Sequence, residues 1–205
     1  MSRVFVVTGT DTGIGKTVFA AALTGALGAH YWKPVQAGLD GETDSQIVAR
    51  LSGGTVLPEA WRLQLAASPH RAAAAEHTAI DAAALALPQI KGPLVVEGAG
   101  GLLVPLNDDT LTIDVFTRWG APLILCARTS LGTINHTLLS LEAIHARNIP
   151  LLGIAFLGEA NDDSEVTICR LSGARRLGRL GRVSPLDGEH LRAAFEAGFA
   201  IEDFA

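Results

Sequence analysis

The sequence predicts a single α/β domain over residues 1–205: a mostly parallel β-sheet with helices on both faces. Three observations carry this. Short apolar runs alternate with helical stretches along the chain. The first run, Val4-Phe5-Val6-Val7, opens into a loop of Gly, Thr and Asp and then into a helix. Two later runs deliver a charged residue, Lys33 or Glu97, at the carboxyl end of a strand, where open α/β sheets place ligand groups. At 205 residues the chain is long enough for one core and too short for two large domains, and it has no repeat, linker or low-complexity segment.

The elements follow in order. After the Val4–Val7 strand, residues Val18–Leu27 form a helix. Ala29–Ala37 reads as a second strand that stops near Lys33, because Pro34 has no N–H for the ladder. Gly38–Gly41 is a turn, and Thr43 or Asp44 caps a helix to about Leu51, with Ile47, Val48 and Leu51 on one face. Gly53–Pro58 reads as a loop. Trp61–Ala79 reads as irregular with a short helix after His70, and Asp81–Ile90 as a helix capped by Asp81. Leu94–Glu97 is a strand that opens into Gly98-Ala99-Gly100-Gly101. A short helix Thr112–Trp119, a strand Pro122–Ala127 and a helix Gly132–Asn148 follow, the last with Ile134, Leu138, Leu141 and Ile144 at helical spacing. Leu151–Leu157 and Leu177–Val183 are the last strands, separated by a helix Asp163–Ala174. The closing helix Glu189–Phe199 carries Leu191, Phe195 and Phe199 on one face; its charges are mostly acidic, so it is expected to pack on the body or on a partner subunit and not on a membrane.

Composition excludes several classes. Apolar residues are 48% and charged residues 18%, the balance of a globular protein with a sizeable interior. Net charge is −5 and no basic run exceeds Arg175-Arg176, which argues against a nucleic-acid partner. No apolar run is long enough to span a bilayer, and the N-terminus lacks the pattern of a secretory signal. The two cysteines, Cys126 and Cys169, have no metal-ligand spacing and read as reduced thiols of a cytoplasmic protein.

The stretch Thr8-Gly9-Thr10-Asp11-Thr12-Gly13-Ile14-Gly15-Lys16-Thr17 carries the first chemistry. Strand, glycine-rich loop and helix together make Gly-Lys-Thr a phosphate loop. Glycines let the N–H groups of Thr12, Gly13, Ile14 and Gly15 converge on a polyphosphate, and the helix N-terminus adds its positive dipole end. Lys16 reaches the β- and γ-phosphates, and the Thr17 hydroxyl is a ligand for Mg²⁺. Thr10 stands where the usual motif has its first glycine, so the loop is one residue longer than the common form. Asp44 and Glu97 complete a hard-oxygen set with Thr17 suited to Mg²⁺. Each residue also has a plainer reading: Asp44 as a helix cap, Glu97 as a solvated strand end, Lys33 as a surface lysine.

With Lys33-Pro34-Val35, Ser68-Pro69-His70, Glu97-Gly98-Ala99-Gly100-Gly101, Pro105-Leu106 and Leu131-Gly132-Thr133-Ile134-Asn135-His136 added in order, the chain resembles the dethiobiotin synthetases over nearly its whole length. The resemblance implies an ATP-dependent cyclo-ligase of biotin synthesis. An amine of 7,8-diaminononanoate captures CO₂ as a carbamate, the carbamate attacks the γ-phosphate of MgATP, and the second amine closes the cyclic urea, with ADP and phosphate released. It implies Lys33 and Lys16 as the catalytic cations. Thr12 to Thr17, Asp44, Glu97, Gly98, Ala99 and Gly100 would hold the nucleotide, with Val183-Ser184-Pro185 near the base. Ala37 and the helix start at Gly132, Thr133, Ile134 and Asn135 would meet the substrate. A homodimer is implied, with the substrate near the subunit interface.

The chain departs from that pattern in three places. Ala37 stands where the family usually has a Ser or Thr, Leu157 where an Asn contacts adenine, and Val183-Ser184-Pro185 is offset from the family's base-side segment. Two other readings stay open: a dimeric regulatory ATPase that positions chromosomes or septa, and the synthetase half of a glutamine-dependent cobyrinate amidase. The first carries an extra lysine early in the loop, where this chain has Thr10-Asp11-Thr12; for the second this chain leaves no room for a glutaminase domain.

Overall fold

The computed structural model describes residues 3–204, so Met1, Ser2 and Ala205 of the expected 1–205 domain lie outside the described residues. One sheet organises them. Its strands lie in the order β4 (Thr55–Leu57), β2 (His30–Trp32), β6 (Leu94–Glu97), β1 (Val4–Gly9), β7 (Leu123–Arg128), β8 (Leu151–Leu157) and β9 (Arg176–Leu180). Every neighbouring pair is parallel. From β1 the chain runs to β2 and the edge strand β4, returns to β6 beside β1, and then crosses to β7, β8 and β9 on the other side. This topology switches direction at β1, and the loops that leave β1, β6 and β7 gather at one crevice.

Side-chain alternation divides the core between the two faces of the sheet. Phe5 and Val7 of β1 with Ile124 and Cys126 of β7 join helices α1 (Lys16–Leu27), α2 (Asp44–Ser52) and α7 (Gly188–Gly198). Val6 with Leu123, Leu125 and Ala127 joins α4 (Thr112–Trp119), α5 (Thr133–His145) and α6 (Asp162–Ser172). Near-continuous apolar strands are what a parallel sheet covered on both faces requires. The closing helix packs on the body: Phe19 of α1 lies 6.2 Å from Phe195 and 5.4 Å from Phe199, ring centre to ring centre.

Five expectations are corrected. Residues Ala29–Ala37 form two strands, β2 and β3 (Val35–Ala37), broken at Pro34, whose carbonyl accepts the N–H of Trp61. The stretch expected to be irregular contributes β5 (Trp61–Leu63), which pairs in parallel with β3 as a separate two-stranded sheet, before α3 (Pro69–Ala75). The expected loop Gly53–Pro58 contains the edge strand β4; three half-exposed residues are too few to show alternation in sequence. Asp81–Ile90 is not a helix. Asp81 Oδ1 accepts the N–H groups of Ala83 and Ala84 in a single turn. The Ala82 carbonyl accepts the Leu85 N–H in a turn and also Arg118, the Leu85 carbonyl is met by Arg118 and Trp119 of α4, and Pro88 lacks the N–H a helix would need. The last strand also ends at Leu180, three residues short of Val183.

One close approach tests the seating of α7. A Cβ on Gly198 would lie 2.2 Å from the Arg179 carbonyl oxygen, and one on Gly178 would lie 2.1 Å from the Gly198 carbonyl. Gly198→Ala is expected to destabilise the protein by about 1–3 kcal/mol through overpacking against backbone, read as a lower urea midpoint at unchanged slope.

Candidate active site

The loop leaving β1 needs backbone shapes that a side chain disfavours. Gly13 and Gly15 have φ of 71° and 100°, and Gly15 caps α1 without a side-chain bond. The N–H groups that open α1 thus face the loop's interior. Lys16 lies across this opening, its Nζ donating to the Asp11 carbonyl at 2.7 Å. Burial lowers its pKa, and Glu97 only partly opposes that.

Register brings the remaining groups to the same place. Strand β2 pairs Trp32 with Val96 of β6, so the next residues, Lys33 and Glu97, meet side by side. Lys33 is 4% exposed and Glu97 1%. All three N–H bonds of the Lys33 ammonium are made: to Asp44 Oδ2 at 2.7 Å, Glu97 Oε1 at 3.0 Å and the Gly98 carbonyl at 3.0 Å. Burial lowers the Lys33 pKa, but Glu97 and Asp44 outweigh it and the net shift is upward. Asp44 balances the same way: burial raises its pKa, and Lys33 with the Thr17 hydroxyl brings the net shift down. The plain readings of Lys33 as a surface lysine and Glu97 as a solvated strand end are excluded.

Asp44 is also not the helix cap. Thr43 caps α2, accepting the Gln46 N–H, while Gln46 accepts the Thr43 N–H at 2.8 Å in a reciprocal capping box. That leaves the Asp44 carboxylate to face the loop. Thr17 Oγ1 lies 2.9 Å from both Asp44 Oδ1 and Glu97 Oε1. One hydroxyl proton can serve only one of them, so a hydroxyl and two carboxylate oxygens converge with a donor too few. This set fits Mg²⁺, which binds through one or two carboxylates and shares its shell with phosphate oxygens. Among the described residues no cluster of three or more His, Cys, Asp or Glu offers an all-protein cage.

Two site residues were missed by the sequence reading. The Tyr31 hydroxyl donates to Glu97 Oε2 at 2.8 Å, and burial, with Glu97 adding to it, holds its pKa well above the usual range. Gln36 accepts the Asp44 N–H at 3.2 Å and donates to the Ala37 carbonyl at 3.2 Å. The signal for Tyr31 was its place two residues before Lys33, on the same face of one strand. For Gln36 there was none, because its role depends on β3 leaving the main sheet.

Beside these groups lies a cavity of about 440 Å³ lined by Thr12, Lys33, Gln36, Ala37, Asp44, Ser68, Ala99 and Gly100, with Val35, Pro69 and Val104 among its apolar walls. The structure thus brings Lys33, Asp44, Ala37 and part of the loop to one opening. It does not bring Gly132, Thr133, Ile134 or Asn135 into that lining; Gly132, at φ 92°, caps α5 without a side-chain bond. Val183, Ser184 and Pro185 also lie outside it, Val183 packed on the core and the other two exposed. Leu157 is buried beneath the loop beside Ile14, and a Cβ on Gly15 would be 3.5 Å from its Cδ1.

Fold and loop define a nucleotide-binding protein of the P-loop class, and a family model described as an AAA domain matches residues 3–190. At the fold level the chain is similar to the septum site-determining protein MinD of Pyrococcus horikoshii, with a TM-score of 0.57, 12% identity and coverage of 95% of this chain and 86% of that one. Sequence similarity goes further. The "ATP-dependent dethiobiotin synthetase BioD" of Rhodopseudomonas palustris (strain TIE-1) is 66% identical over 100% of this chain and 98% of its own length. The protein of that name from Brucella anthropi is 60% identical over 100% and 98%. This chain belongs to the dethiobiotin synthetase family.

Proposed function

We propose that the protein is an ATP-dependent dethiobiotin synthetase that joins CO₂ to 7,8-diaminononanoate as a carbamate, phosphorylates the carbamate and closes the cyclic urea. We take residues 1–205 as one synthetase domain. The observation that supports this best is the place of Lys33: a buried, protonated amine between the phosphate loop and the Ala37 cavity. A carbamate and a triphosphate are both anions, and their approach requires fixed positive charge. Lys33 and Lys16 supply it in a partly desolvated crevice. Thr17, Asp44 and Glu97 would hold Mg²⁺, which when bound neutralises phosphate charge. The N–H groups from Gly13 to Gly15 and the Gly98–Gly100 turn would cradle ATP, the Thr12 N–H being taken by Asp11 Oδ1. Lys33 would exchange a carboxylate acceptor for the anionic substrate. The test is formation of dethiobiotin from diaminononanoate, bicarbonate and MgATP; no product above the enzyme-free background would overturn the reading.

The regulatory-ATPase reading is not favoured. The likeness to MinD is one of fold at 12% identity, whereas the synthetase relatives match the entire chain at 60–66%.

The protein is further proposed to be a homodimer acting in the cytoplasm on small molecules, without nucleic acid or membrane. Leu131, two residues before α5, is fully exposed, and Leu103 and Leu139, which line one groove with His136 and Ser140 of α5, are 54% and 57% exposed. Apolar side chains gathered this way suit a protein interface. A partner seated there would bring the Gly132–Asn135 helix start, absent from its own chain's cavity, toward the substrate of the other chain. Among the described residues no helix is long and apolar enough to cross a membrane. A solution mass near the 21.4 kDa of one chain would refute the dimer.

Base selectivity is expected to be weak. The Leu157 side chain offers no donor or acceptor and is buried beneath the loop. Apolar contact separates similar ligands poorly, so kcat/KM for GTP, CTP and UTP should fall within about 10²-fold of that for ATP. A larger preference would show that other groups read the base.

A further inference from the structure

Arg128, the last residue of β7, ends beside the phosphate loop, yet its guanidinium does not face the Lys33 cavity. Its Nη2 donates to His136 Nδ1 at 2.9 Å and lies 3.5 Å from Asp11 Oδ2. A guanidinium only donates, so His136 Nδ1 is the acceptor here. The Arg128 Nε is buried without a hydrogen-bond partner although the side chain as a whole is partly exposed, so its two contacts are what orient the group.

Asp11 is the unusual member of this loop. It puts a carboxylate into a turn built to receive a polyanion. Its Oδ1 accepts the Thr12 N–H at 2.7 Å, and its carbonyl accepts Lys16 Nζ at 2.7 Å. The side chain therefore shapes the turn, while its charge opposes the ligand. The sequence shows the acid and does not show what offsets it; β7 supplies the answer, because Arg128 lies one strand away from the loop.

We propose that Arg128 is a positioning residue that sets nucleotide affinity by neutralising Asp11. It acts through the loop and does not touch the phosphates. This rests on the reading of the loop as the nucleotide site. It is tested by nucleotide binding alone, so failure of the synthetase reaction would leave the test intact.

The experiment is titration of the full-length protein with MgADP by calorimetry at low and high salt. Arg128→Gln is expected to weaken binding roughly 10-fold at low salt, because an unmasked carboxylate then faces the polyphosphate. The loss should shrink as salt screens it. Asp11→Asn in the Arg128→Gln background should restore affinity to within about 2–3-fold of the parent, since Asn keeps the Oδ1 acceptor and removes the charge. A purely structural role for the pair would make the second substitution add to the damage. Arg128→Lys keeps the charge and should bind like the parent within the same margin, which keeps the proposal testable if Arg128→Gln does not fold. Unchanged affinity in Arg128→Gln, no restoration by Asp11→Asn, or a 10-fold loss in Arg128→Lys would each overturn it.

Discussion

Replacement of Lys33 by Ala is expected to lower kcat by about 10²-fold or more, the scale seen when a group that stabilises developing charge is removed. The side chain is buried and its ammonium makes three bonds, to two carboxylates and a backbone carbonyl. Its loss leaves Asp44 and Glu97 close together without their shared cation, so some stability is lost as well. A melting curve separates that effect from catalysis. A folded Lys33→Ala protein with near-parental turnover would refute the role given to Lys33. Lys16→Ala should reduce kcat on the same scale but disturb the fold less, because the Lys16 ammonium makes one hydrogen bond, to the Asp11 carbonyl, where Lys33 makes three.

Glu97→Gln is expected to produce the second large effect: a rise in the Mg²⁺ concentration needed for half-maximal rate and a fall in kcat of about 10²-fold. Glu97 accepts from Tyr31 and Lys33 and flanks Thr17. An amide of the same shape can accept with one atom only, and its NH₂ would face a donor. Asp44→Asn is the informative companion. If Asp44 served as the helix cap, Asn would replace it silently. Thr43 holds that position, so a changed metal requirement in Asp44→Asn reports the carboxylate itself. Magnesium titrations of both variants at saturating ATP decide it, and an unchanged midpoint in both would remove these residues from the metal site.

Much of this protein is legible in its sequence. The apolar strands Leu94–Glu97 and Leu151–Leu157 and the helix Thr112–Trp119 fall where the pattern of residues puts them, because each is decided by local periodicity and a nearby glycine or charge. The phosphate loop is equally local: the glycines, Lys16 and Thr17 are contiguous. Tertiary structure decided what depends on neighbours distant in sequence. Asp81–Ile90 has helical residues but gives its carbonyls to Arg118 and Trp119. Within Gly53–Pro58, Thr55–Leu57 becomes a strand only because the edge of β2 is there to pair with it. Strand order and register, which no single stretch encodes, set Lys33 against Glu97, turned Tyr31 toward the same carboxylate and laid Arg128 beside Asp11. The sequence by itself determined which groups the protein has for binding a polyphosphate; the parallel sheet determined which of their charges face one another, because only packing brings residues dozens of positions apart within hydrogen-bond reach.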